Sequence, residues 1–334
     1  MKVLIIFNHP APYKVDLFNE LSKTNSVDVI FERKKAKNRP DDFYINNKYC
    51  FNNIEPQGFK LNIGNENCAG SFLKNYIRAN YHKYDLIIMN GYSTFAEMNA
   101  IKFMNKNGIP YVLLINGGIK KKYETLIKRK IKTKYISGAS HYLSPGEKAN
   151  DYLTYYGADK KKILTYPYST IHFNDIQTKP LTNKEKAYIR DEYFLPSGEL
   201  YLCPGQFIKR KNNLELIKLF RNKQANLLLI GNGRLKNKYL RYIKRKNMNN
   251  VFVWDFLPKD KLMTIMKSAN GLISLSKFDI YGHTIVEAMA CGIPVFASKN
   301  IVSAREIIEN GVNGYVLDKN KFLFQKIIKY CKFC

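Results

Sequence analysis

Short apolar runs of strand length recur along the chain, and each is followed by a longer segment with helical spacing. The runs are residues 3–7, 27–31, 86–89, 111–115 and 141–143 in the first half, and 200–203, 227–230, 251–254, 272–275 and 294–297 in the second. This alternation is typical of parallel β-sheets covered by helices on both faces. We therefore predict an α/β protein with a parallel sheet in each half.

A polar stretch with Pro180, Pro196 and Gly198 separates the two halves and lacks a strand-like run. Such a composition is typical of a linker between domains. We predict a first domain over residues 1–170, a linker over 171–198 and a second domain over 199–334. Because ligands of open parallel sheets bind at the carboxyl ends of the strands, we expect the two sheets to face each other across a cleft that holds the active site.

The charge of the chain implies an anionic partner. Its 334 residues include 55 Lys or Arg and 27 Asp or Glu, which gives a formal net charge of +28. The six cysteines follow no repeating spacing, so we expect a reducing compartment and no disulfide framework. The first apolar run is shorter than a signal-peptide core, and no window reaches the ~18 apolar residues of a spanning helix. We therefore expect a cytoplasmic protein with at most peripheral membrane contact.

The segment 276–295 carries the most chemical information. Asp279 follows a strand, Gly282 allows close backbone approach, and a helix begins near Thr284. The free N–H groups at such a helix start suit a phosphate. Glu287 lies one turn further on, so two carboxylates flank this position and could grasp hydroxyls of a nucleotide sugar. The alternative is a solvated loop acid and an exposed helix acid.

Two further strand-to-glycine turns precede this segment. In residues 202–212, Gly205 and Gln206 lead into three consecutive basic residues that end at Lys211. A lysine at this turn could neutralise the charge that develops on a departing nucleoside diphosphate. The third turn contains Gly231 and Gly233, and a lone Gly-x-Gly is weak evidence by itself.

The order and spacing of these segments resemble the retaining nucleotide-sugar glycosyltransferases of the GT-B type, family 4. The resemblance implies a GT-B fold, with two Rossmann-like domains whose parallel sheets face each other across a cleft. That family has Gly-Arg-x-x-x-x-Lys-Gly, a Gly-x-Gly turn, a Phe-Leu-Pro-like loop, and two Glu separated by seven residues before Ala-x-Ala-x-Gly-x-Pro-Val. This chain has Gly205-Gln206 with Lys211, Gly231-Asn232-Gly233, Phe256-Leu257-Pro258, Asp279 and Glu287 separated by seven residues, and residues 288–295 behind them. The resemblance is specific over residues 200–316 and general in the first half.

The resemblance implies a role for each matching position. Lys211 and the backbone around His283 and Thr284 would contact the donor diphosphate, Glu287 would hold the ribose hydroxyls, and Asp279 would touch the transferred sugar. Lys211, Asp279 and Glu287 are therefore the predicted catalytic set. The predicted donor-binding residues are Gly205, Gln206, Gly231, Leu257, Tyr281, Gly282, His283 and Thr284, with the loop at Leu257 bordering the base.

This sequence departs from the family pattern at several positions. Gln206 stands where the family usually has Arg, which removes one cation, and Asp279 replaces a Glu that is one methylene longer. In the first half, residues 8–13 replace a Gly-rich loop, and Asn116 stands where the family has a His. His9, Tyr13 and Asn116 are the predicted acceptor-side residues. His9 is placed at the end of the first strand, facing the cleft, and the alternative there is that Pro10 and Pro12 set the shape of the loop.

The resemblance also implies a mechanism. The acceptor hydroxyl would attack from the face that the diphosphate leaves, with retention of anomeric configuration and with no bound metal or other cofactor. Positioning and charge stabilisation would then supply most of the catalysis. The five His show no pair at metal-ligand spacing, so a zinc site is not expected.

Residues 119–134 carry eight basic residues and one acid, with apolar residues near helical spacing. Such a helix can lie on an anionic membrane surface, and the alternative is a solvated helix of a Lys-rich protein. A lipid-linked acceptor would give membrane contact a purpose at the inner membrane face. The predicted surface residues are Lys120, Lys121, Lys122, Lys128, Arg129 and Lys130.

The leading hypothesis is a glycosyltransferase that moves a hexose or N-acetylhexosamine from a nucleoside-diphosphate sugar, with a UDP-sugar favoured, to a lipid-linked or surface glycan. A second hypothesis is a weakly active relative that binds nucleotide sugar and acts as a partner subunit. A third, suggested by charge alone, is a nucleic-acid-binding protein. Against the third, the basic residues are spread over both halves and no recognition signature is present.

Overall fold

The computed structural model describes residues 1–36, 41–44, 48–56, 71–118, 123–166, 169–179, 181–279, 281–318, 325 and 327. The chain forms two compact units, Met1–Tyr168 and Ser169–Cys334. Each unit contains a parallel sheet with its own helices.

The first unit is built on a parallel sheet of seven strands, in the order β3-β2-β1-β4-β5-β6-β7. Its elements are β1 (Lys2–Phe7), α1 (Pro12–Ser22), β2 (Ser26–Phe31), β3 (Asn52–Asn53), α2 (Phe72–Asn80), β4 (Leu86–Asn90), α3 (Phe95–Lys106), β5 (Val112–Leu114), α4 (Leu126–Ile136), β6 (His141–Ser144), α5 (Glu147–Tyr155) and β7 (Ile163–Thr165).

The second unit contains a parallel sheet of six strands, in the order β10-β9-β8-β11-β12-β13. Its elements are α6 (Asn183–Glu192), β8 (Leu200–Pro204), α7 (Asn213–Leu219), β9 (Asn226–Ile230), α8 (Lys236–Arg245), β10 (Val251–Trp254), α9 (Lys259–Ser268), β11 (Gly271–Ser274), α10 (His283–Ala290), β12 (Val295–Ser298), α11 (Val302–Ile307) and β13 (Gly314–Leu317).

The central strands are buried on both faces. In β8, Leu200 and Leu202 pack into one apolar cluster, whereas Tyr201 and Cys203 pack into another. Successive side chains of a strand point to opposite faces of its sheet, so the two clusters lie on opposite faces. The sequence of a strand that is buried on both faces is a continuous apolar run, whereas a half-buried strand alternates apolar and polar residues. This is why the central strands can be recognised in the sequence.

The strand order places the crevice of the second unit. The chain leaves β8 toward β9 on one side, and β11 pairs with the other side of β8. The order therefore reverses between β8 and β11, and open α/β sheets bind ligands outside the carboxyl ends of the strands at such a point. The loops that follow β8 and β11 carry Lys211 and Asp279.

The α/β prediction is confirmed, with a strand at each of the ten predicted runs. The strands β3, β7 and β13 were not predicted from the sequence. The strand β3 has only two residues, both Asn, and β7 has Leu164 exposed at the edge of its sheet. Neither carries the buried apolar run that marks a central strand.

Residues 171–198, which the sequence predicts as a linker, contain the helix α6 in this structure. Thr182 and Glu185 form a reciprocal capping box at its start, a motif that satisfies backbone N–H groups there. Near its end, the Arg190 guanidinium donates to the carbonyl oxygen of Ser268 at 2.7 Å. The Arg190 contact attaches the helix to the rest of the second unit, although the sequence of the helix is too polar to show a buried face.

Among the described residues, no helix is both long enough and apolar enough to cross a bilayer.

Candidate active site

The turns that follow β8 and β9 are joined through their backbones. The Gly205 N–H donates to the Ile230 carbonyl oxygen at 2.9 Å, and the Phe207 N–H donates to the Asn232 carbonyl oxygen at 2.9 Å. Gly231 has a φ of +146°, and a Cβ atom at this position would collide with the Gly205 carbonyl oxygen. Both predicted glycines therefore lie together at the carboxyl edge of the sheet, with their backbones in close approach.

Lys211 ends a short 3-10 turn, Lys209–Lys211, that follows the Gly205 loop. A Cβ atom on Gly205 would lie 3.6 Å from the Lys211 Cε, so the lysine stem crosses over the glycine. The Lys211 Nζ lies 2.5 Å from Asp279 Oδ2. The side chains of Lys211 and Asp279 are only 15% and 13% exposed. Two of the three predicted catalytic residues therefore form a shielded ion pair.

Asp279 has a second cationic partner, Arg210, which the sequence reading did not single out. Its Nη1 lies 3.2 Å from Asp279 Oδ1. Burial raises the pKa of Asp279, but the charges and hydrogen bonds of Lys211 and Arg210 outweigh burial and hold the pKa below its usual range. Asp279 is therefore an ionised carboxylate at neutral pH. The sequence shows a run of three basic residues here, but it does not indicate which of them contact Asp279.

The helix α10 begins immediately after this ion pair. Its N-cap, Gly282, has a φ of +90°, and a Cβ atom there would lie 2.6 Å from the Ile301 Cγ2 and 3.1 Å from the Ser303 Oγ. Only glycine fits this position. The first N–H groups of a helix lack acceptors within the helix, and the helix dipole favours an anion there. The predicted contacts at His283 and Thr284 thus lie on the first turn of α10.

Tyr281 precedes the N-cap and lies beside His283. The centroids of their rings are 5.1 Å apart, with a tilt of 50°. Burial raises the pKa of the Tyr281 hydroxyl, and the charge of Glu306 adds to this effect. Tyr281 is therefore a neutral, partly buried phenol next to the helix start.

Glu287 lies one turn into α10 and is partly buried. Burial raises the pKa of its carboxyl group above the usual range, with Asp175 adding to the effect, while Lys259, a hydrogen bond from Thr170 and the charge of Lys211 oppose it. The Thr170 Oγ1 lies 3.5 Å from Glu287 Oε1. The charge of Lys211 favours the ionised form of both Asp279 and Glu287, so the three predicted catalytic residues share one electrostatic environment.

A lysine on α9 organises the surroundings of Glu287. The Lys259 Nζ donates to the Thr170 carbonyl oxygen at 2.7 Å and to Asp175 Oδ2 at 2.6 Å. Burial raises the pKa of Asp175, but Lys259 and the hydrogen bond and charge of His172 together outweigh burial, and the net shift is downward. Sequence reasoning missed this contact because it joins residues more than 80 positions apart. The only sequence signal is that Lys259 directly follows the Phe-Leu-Pro loop.

The other two predicted donor residues lie on loops of the same unit. Gln206 is partly buried next to Gly205, and its carbonyl oxygen accepts from the Ile208 N–H at 3.0 Å. Leu257 follows β10 and packs, with Trp254, against the apolar cluster that contains Leu228 and Ile230. Part of the Leu257 side chain therefore packs against the core and contributes to the fold.

The predicted acceptor-side residues lie in the first unit. The His9 Nδ1 and the Tyr44 hydroxyl are 3.2 Å apart. The Asn116 amide donates to Asn90 Oδ1 at 2.8 Å. Tyr13 is partly buried near the start of α1. His9 and Asn116 each lie just beyond the carboxyl end of a strand, the edge at which a ligand of this sheet would bind.

The same edge of the first unit carries two buried acids that the sequence analysis did not identify. The Thr94 hydroxyl donates to Glu32 Oε1 at 2.6 Å, and the Ser93 and Thr94 N–H groups donate to Glu97 Oε2 at 2.6 and 2.9 Å. Burial and the charge of the nearby Glu97 together raise the pKa of Glu32 to about 8, against the opposing effects of the Thr94 hydrogen bond and the charge of Arg33. Glu32 is therefore largely protonated at neutral pH.

Of the predicted membrane-surface residues, Lys120, Lys121 and Lys122 lie outside the described residues. Lys128, Arg129 and Lys130 are exposed on α4. Beside them, Leu126 and Ile127 are 75% and 72% exposed. The helix therefore presents basic and apolar side chains to solvent together.

A cavity of 270 Å³ lies against α4. Its lining consists of Tyr123, Glu124, Thr125, Lys128, Ile131 and Lys132. Lys132 is held in place there, because its Nζ lies 2.6 Å from Glu124 Oε1 and 2.9 Å from the Tyr156 hydroxyl.

Within the part of the chain that the structure describes, no three His, Cys, Asp or Glu side chains are grouped so that they could hold a metal ion.

Comparison with known proteins gives a family match over part of the chain and a fold for the whole. Residues 186–332 match the family described as glycosyl transferases group 1. A curated relative, the uncharacterized glycosyltransferase MJ1178 of Methanocaldococcus jannaschii, is 28% identical over 138 residues, which are 41% of this chain and 38% of the relative. The matched stretch thus spans less than two fifths of the relative's length.

The chain as a whole is similar to solved structures, of which two serve as examples. Anabaena Alr3699/HepE in complex with UDP superimposes with a TM-score of 0.77 at 17% identity, over 99% of this chain and 90% of that one. Sucrose-phosphate synthase from Thermosynechococcus elongatus superimposes with a TM-score of 0.75 at 16% identity, over 100% of this chain and 91% of that one. At such identities the likeness shows the fold, which is GT-B.

Proposed function

We propose that this GT-B protein, whose residues 186–332 match the glycosyl transferases group 1 family, transfers a glycosyl group from a nucleoside-diphosphate sugar to an acceptor hydroxyl. The observation that carries the proposal is the Lys211–Asp279 ion pair at the start of α10, with Glu287 one turn further along that helix. A cation, a helix N-terminus and two carboxylates suit the diphosphate and the hydroxyls of one nucleotide sugar.

The diphosphate is the part of the donor that this site fits best. The N–H groups of the first turn of α10 and the Lys211 ammonium can both face an anion, and neither has to be created during the reaction. Charge that develops on the leaving nucleoside diphosphate would therefore meet a preorganised positive environment, which is often the largest single contribution to catalysis.

The two carboxylates serve different ends of the donor in this proposal. Asp279, which is ionised, can accept hydrogen bonds from hydroxyls of the transferred sugar. Glu287, whose pKa is raised first by burial, can accept from the ribose hydroxyls when ionised or donate to them when protonated. Both acids are binding groups, and transfer would proceed with retention of configuration and without a metal ion.

A UDP-sugar that carries a hexose or N-acetylhexosamine is the proposed donor. The HepE structure, with UDP bound in a protein of the same fold, supports uridine as the base. A lipid-linked or surface glycan is the proposed acceptor, bound at the strand edge of the first unit that carries His9, Tyr13 and Asn116.

Contact with an anionic membrane at the cytoplasmic face would bring such an acceptor to the enzyme. The exposed basic and apolar residues of α4 support this placement, because a basic residue near an anionic surface contributes about 1 kcal/mol of binding free energy. No nucleic-acid partner is part of the proposal.

A ligand screen followed by a turnover assay tests the function. Thermal unfolding would be followed with UDP, GDP, ADP and CDP and with their sugar derivatives, since a ligand that binds only the folded state raises stability. We expect UDP and a UDP-sugar to raise Tm, and we expect the purified protein to release UDP from that sugar. No shift and no turnover with any donor would overturn the proposal, whereas tight binding without turnover would favour a partner subunit of an active enzyme.

A further inference from the structure

Arg210 joins the turn after β8 to the loop after β11 through three consecutive residues. Its carbonyl oxygen accepts from the Lys277 N–H at 2.9 Å. Its Nη1 donates to the Phe278 carbonyl oxygen at 2.7 Å and lies 3.2 Å from Asp279 Oδ1. One residue therefore fixes both the backbone before Asp279 and the carboxylate of Asp279.

The two cations at Asp279 use different oxygens. Lys211 contacts Oδ2, and Arg210 contacts Oδ1. If Lys211 turned to a bound diphosphate, Asp279 would lose one of its two partners. A carboxylate that is 13% exposed is costly to leave without compensation, so the remaining partner decides whether Asp279 keeps its charge and position.

Arg210 is suited to be that remaining partner. Its hydrogen bond to the Phe278 carbonyl oxygen holds the guanidinium independently of Lys211. A guanidinium presents several donors in a fixed plane, so it can serve a carbonyl and a carboxylate at once, whereas a lysine ammonium acts as a point charge. The Lys211 ammonium lies on a flexible stem above Gly205, and among the described residues it donates to no backbone carbonyl oxygen.

We propose that Arg210 is a positioning residue of the donor site, which holds Asp279 in place and balances its charge when Lys211 engages the donor diphosphate. This inference rests on the proposed function and extends it. It also assigns a second cation to a site where Gln206 stands in place of the Arg of similar sequences. In this proposal, Arg210 supplies the positive charge that position 206 lacks. That charge acts on the Asp279 carboxylate.

The test compares three variants of the full chain. Arg210→Met removes the guanidinium, Arg210→Lys keeps the charge without the planar group, and Lys209→Met removes an equal charge from an exposed residue of the same turn. For each, kcat and KM of UDP-sugar turnover would be measured from pH 3 to pH 9, so that the range covers the titration of Asp279, and Tm would be recorded at each pH as a check on folding.

We expect Arg210→Met to lower kcat/KM at pH 7 by roughly tenfold or more, the scale for a lost charge-assisted hydrogen bond. The acidic limb of its pH profile should move to higher pH, because Asp279 then keeps one cation instead of two. Arg210→Lys should recover part of both effects, and Lys209→Met should stay within about twofold of the wild type, as expected for an exposed charge.

Two results would overturn the inference while leaving the proposed function intact. In one, Arg210→Met and Lys209→Met have the same kinetics as the active wild type. In the other, Arg210→Met lowers Tm but its acidic limb coincides with that of the wild type, which would make Arg210 a structural link only. A wild type that turns over no donor would instead overturn the proposed function, and the inference with it.

Discussion

The Lys211 Nζ lies 2.5 Å from Asp279 Oδ2, although 68 positions of sequence separate the two residues. The contact joins loops that follow two neighbouring strands, β8 and β11, at the carboxyl edge of the second sheet. It places a cation and a carboxylate at the loop that leads into α10. The proposed donor site depends on this arrangement.

Replacing Lys211 with Met should abolish most of the activity. The variant loses the cation that faces the leaving diphosphate, and the loss of one such group lowers kcat by roughly 100-fold to 1,000-fold. The free energy of unfolding should fall by about 1–3 kcal/mol because Asp279 loses one buried partner. Steady-state kinetics and urea unfolding measure the two effects. Lys209→Met is the control, and an equal loss of activity in both variants would mean that only the net charge of the turn matters.

Asp279 should make stability depend on pH in the acidic range. Its pKa is lower in the folded chain than in the unfolded chain, despite burial, because of Lys211 and Arg210. The stabilisation is therefore present above the unfolded value of about 4 and is lost as the pH falls below it. Asp279→Asn should be less stable than the wild type at pH 6, and the difference should shrink toward pH 3. The exposed Asp191→Asn is the control, and a difference that is constant with pH would argue against the ion pair.

Glu287 should account for recognition of the ribose. In the wild type, 2′-deoxy-UDP should bind about tenfold more weakly than UDP, the effect of one lost hydrogen bond to a charged group. In Glu287→Ala the two nucleotides should bind with equal and weaker affinity. Isothermal titration calorimetry of the four pairs gives the coupling directly. A preference for UDP that survives in the variant would place the ribose elsewhere.

Much of the fold could be predicted because its central strands are buried on both faces. The run at residues 200–203 is apolar throughout, since alternate side chains face two different apolar clusters. The helix α6 could not be predicted in this way, because Thr182 caps its start and Arg190 attaches it to Ser268, and both contacts are polar. A polar sequence lacks the regular spacing of apolar residues by which such a helix would be recognised.

The spacing of residues in the sequence could predict which residues belong to the candidate site. It could not predict which of them contact each other. The positions of Lys211, Asp279 and Glu287 follow from strand ends and from the helix start. The contacts of Arg210 and Lys259 depend on how separate loops lie in space, and local sequence carries no information on that. Glu32 and Glu97 were missed for a related reason, since each looks like an ordinary acid until burial is known.

Glu32 should make the protein less stable at alkaline pH. Burial, with help from Glu97, raises its pKa in the folded chain to about 8, while the unfolded value is about 4.3. The folded state therefore binds the proton more tightly, and stability falls as the pH rises between these two values. Glu32→Gln should lose this part of the pH dependence and should be more stable than the wild type at pH 9. Parallel stability curves for the variant and the wild type would contradict the burial argument.

The basic residues of α4 should control binding to anionic lipid. Changing Lys128, Arg129 and Lys130 to Gln should weaken binding to vesicles of phosphatidylglycerol by roughly 100-fold, at about 1 kcal/mol per residue. Sedimentation with vesicles of phosphatidylglycerol or phosphatidylcholine measures this. The control changes Lys160, Lys161 and Lys162, three exposed residues of the same unit. Equal losses from both sets would indicate that net charge, and not α4, determines binding.

The most direct test of the donor site is a crystal structure of the protein with UDP bound. The account predicts that the diphosphate lies at the first turn of α10, within hydrogen-bond distance of the Lys211 Nζ and of the backbone at His283 or Thr284, with Glu287 at the ribose. UDP bound away from α10, or a diphosphate that Lys211 does not contact, would contradict it.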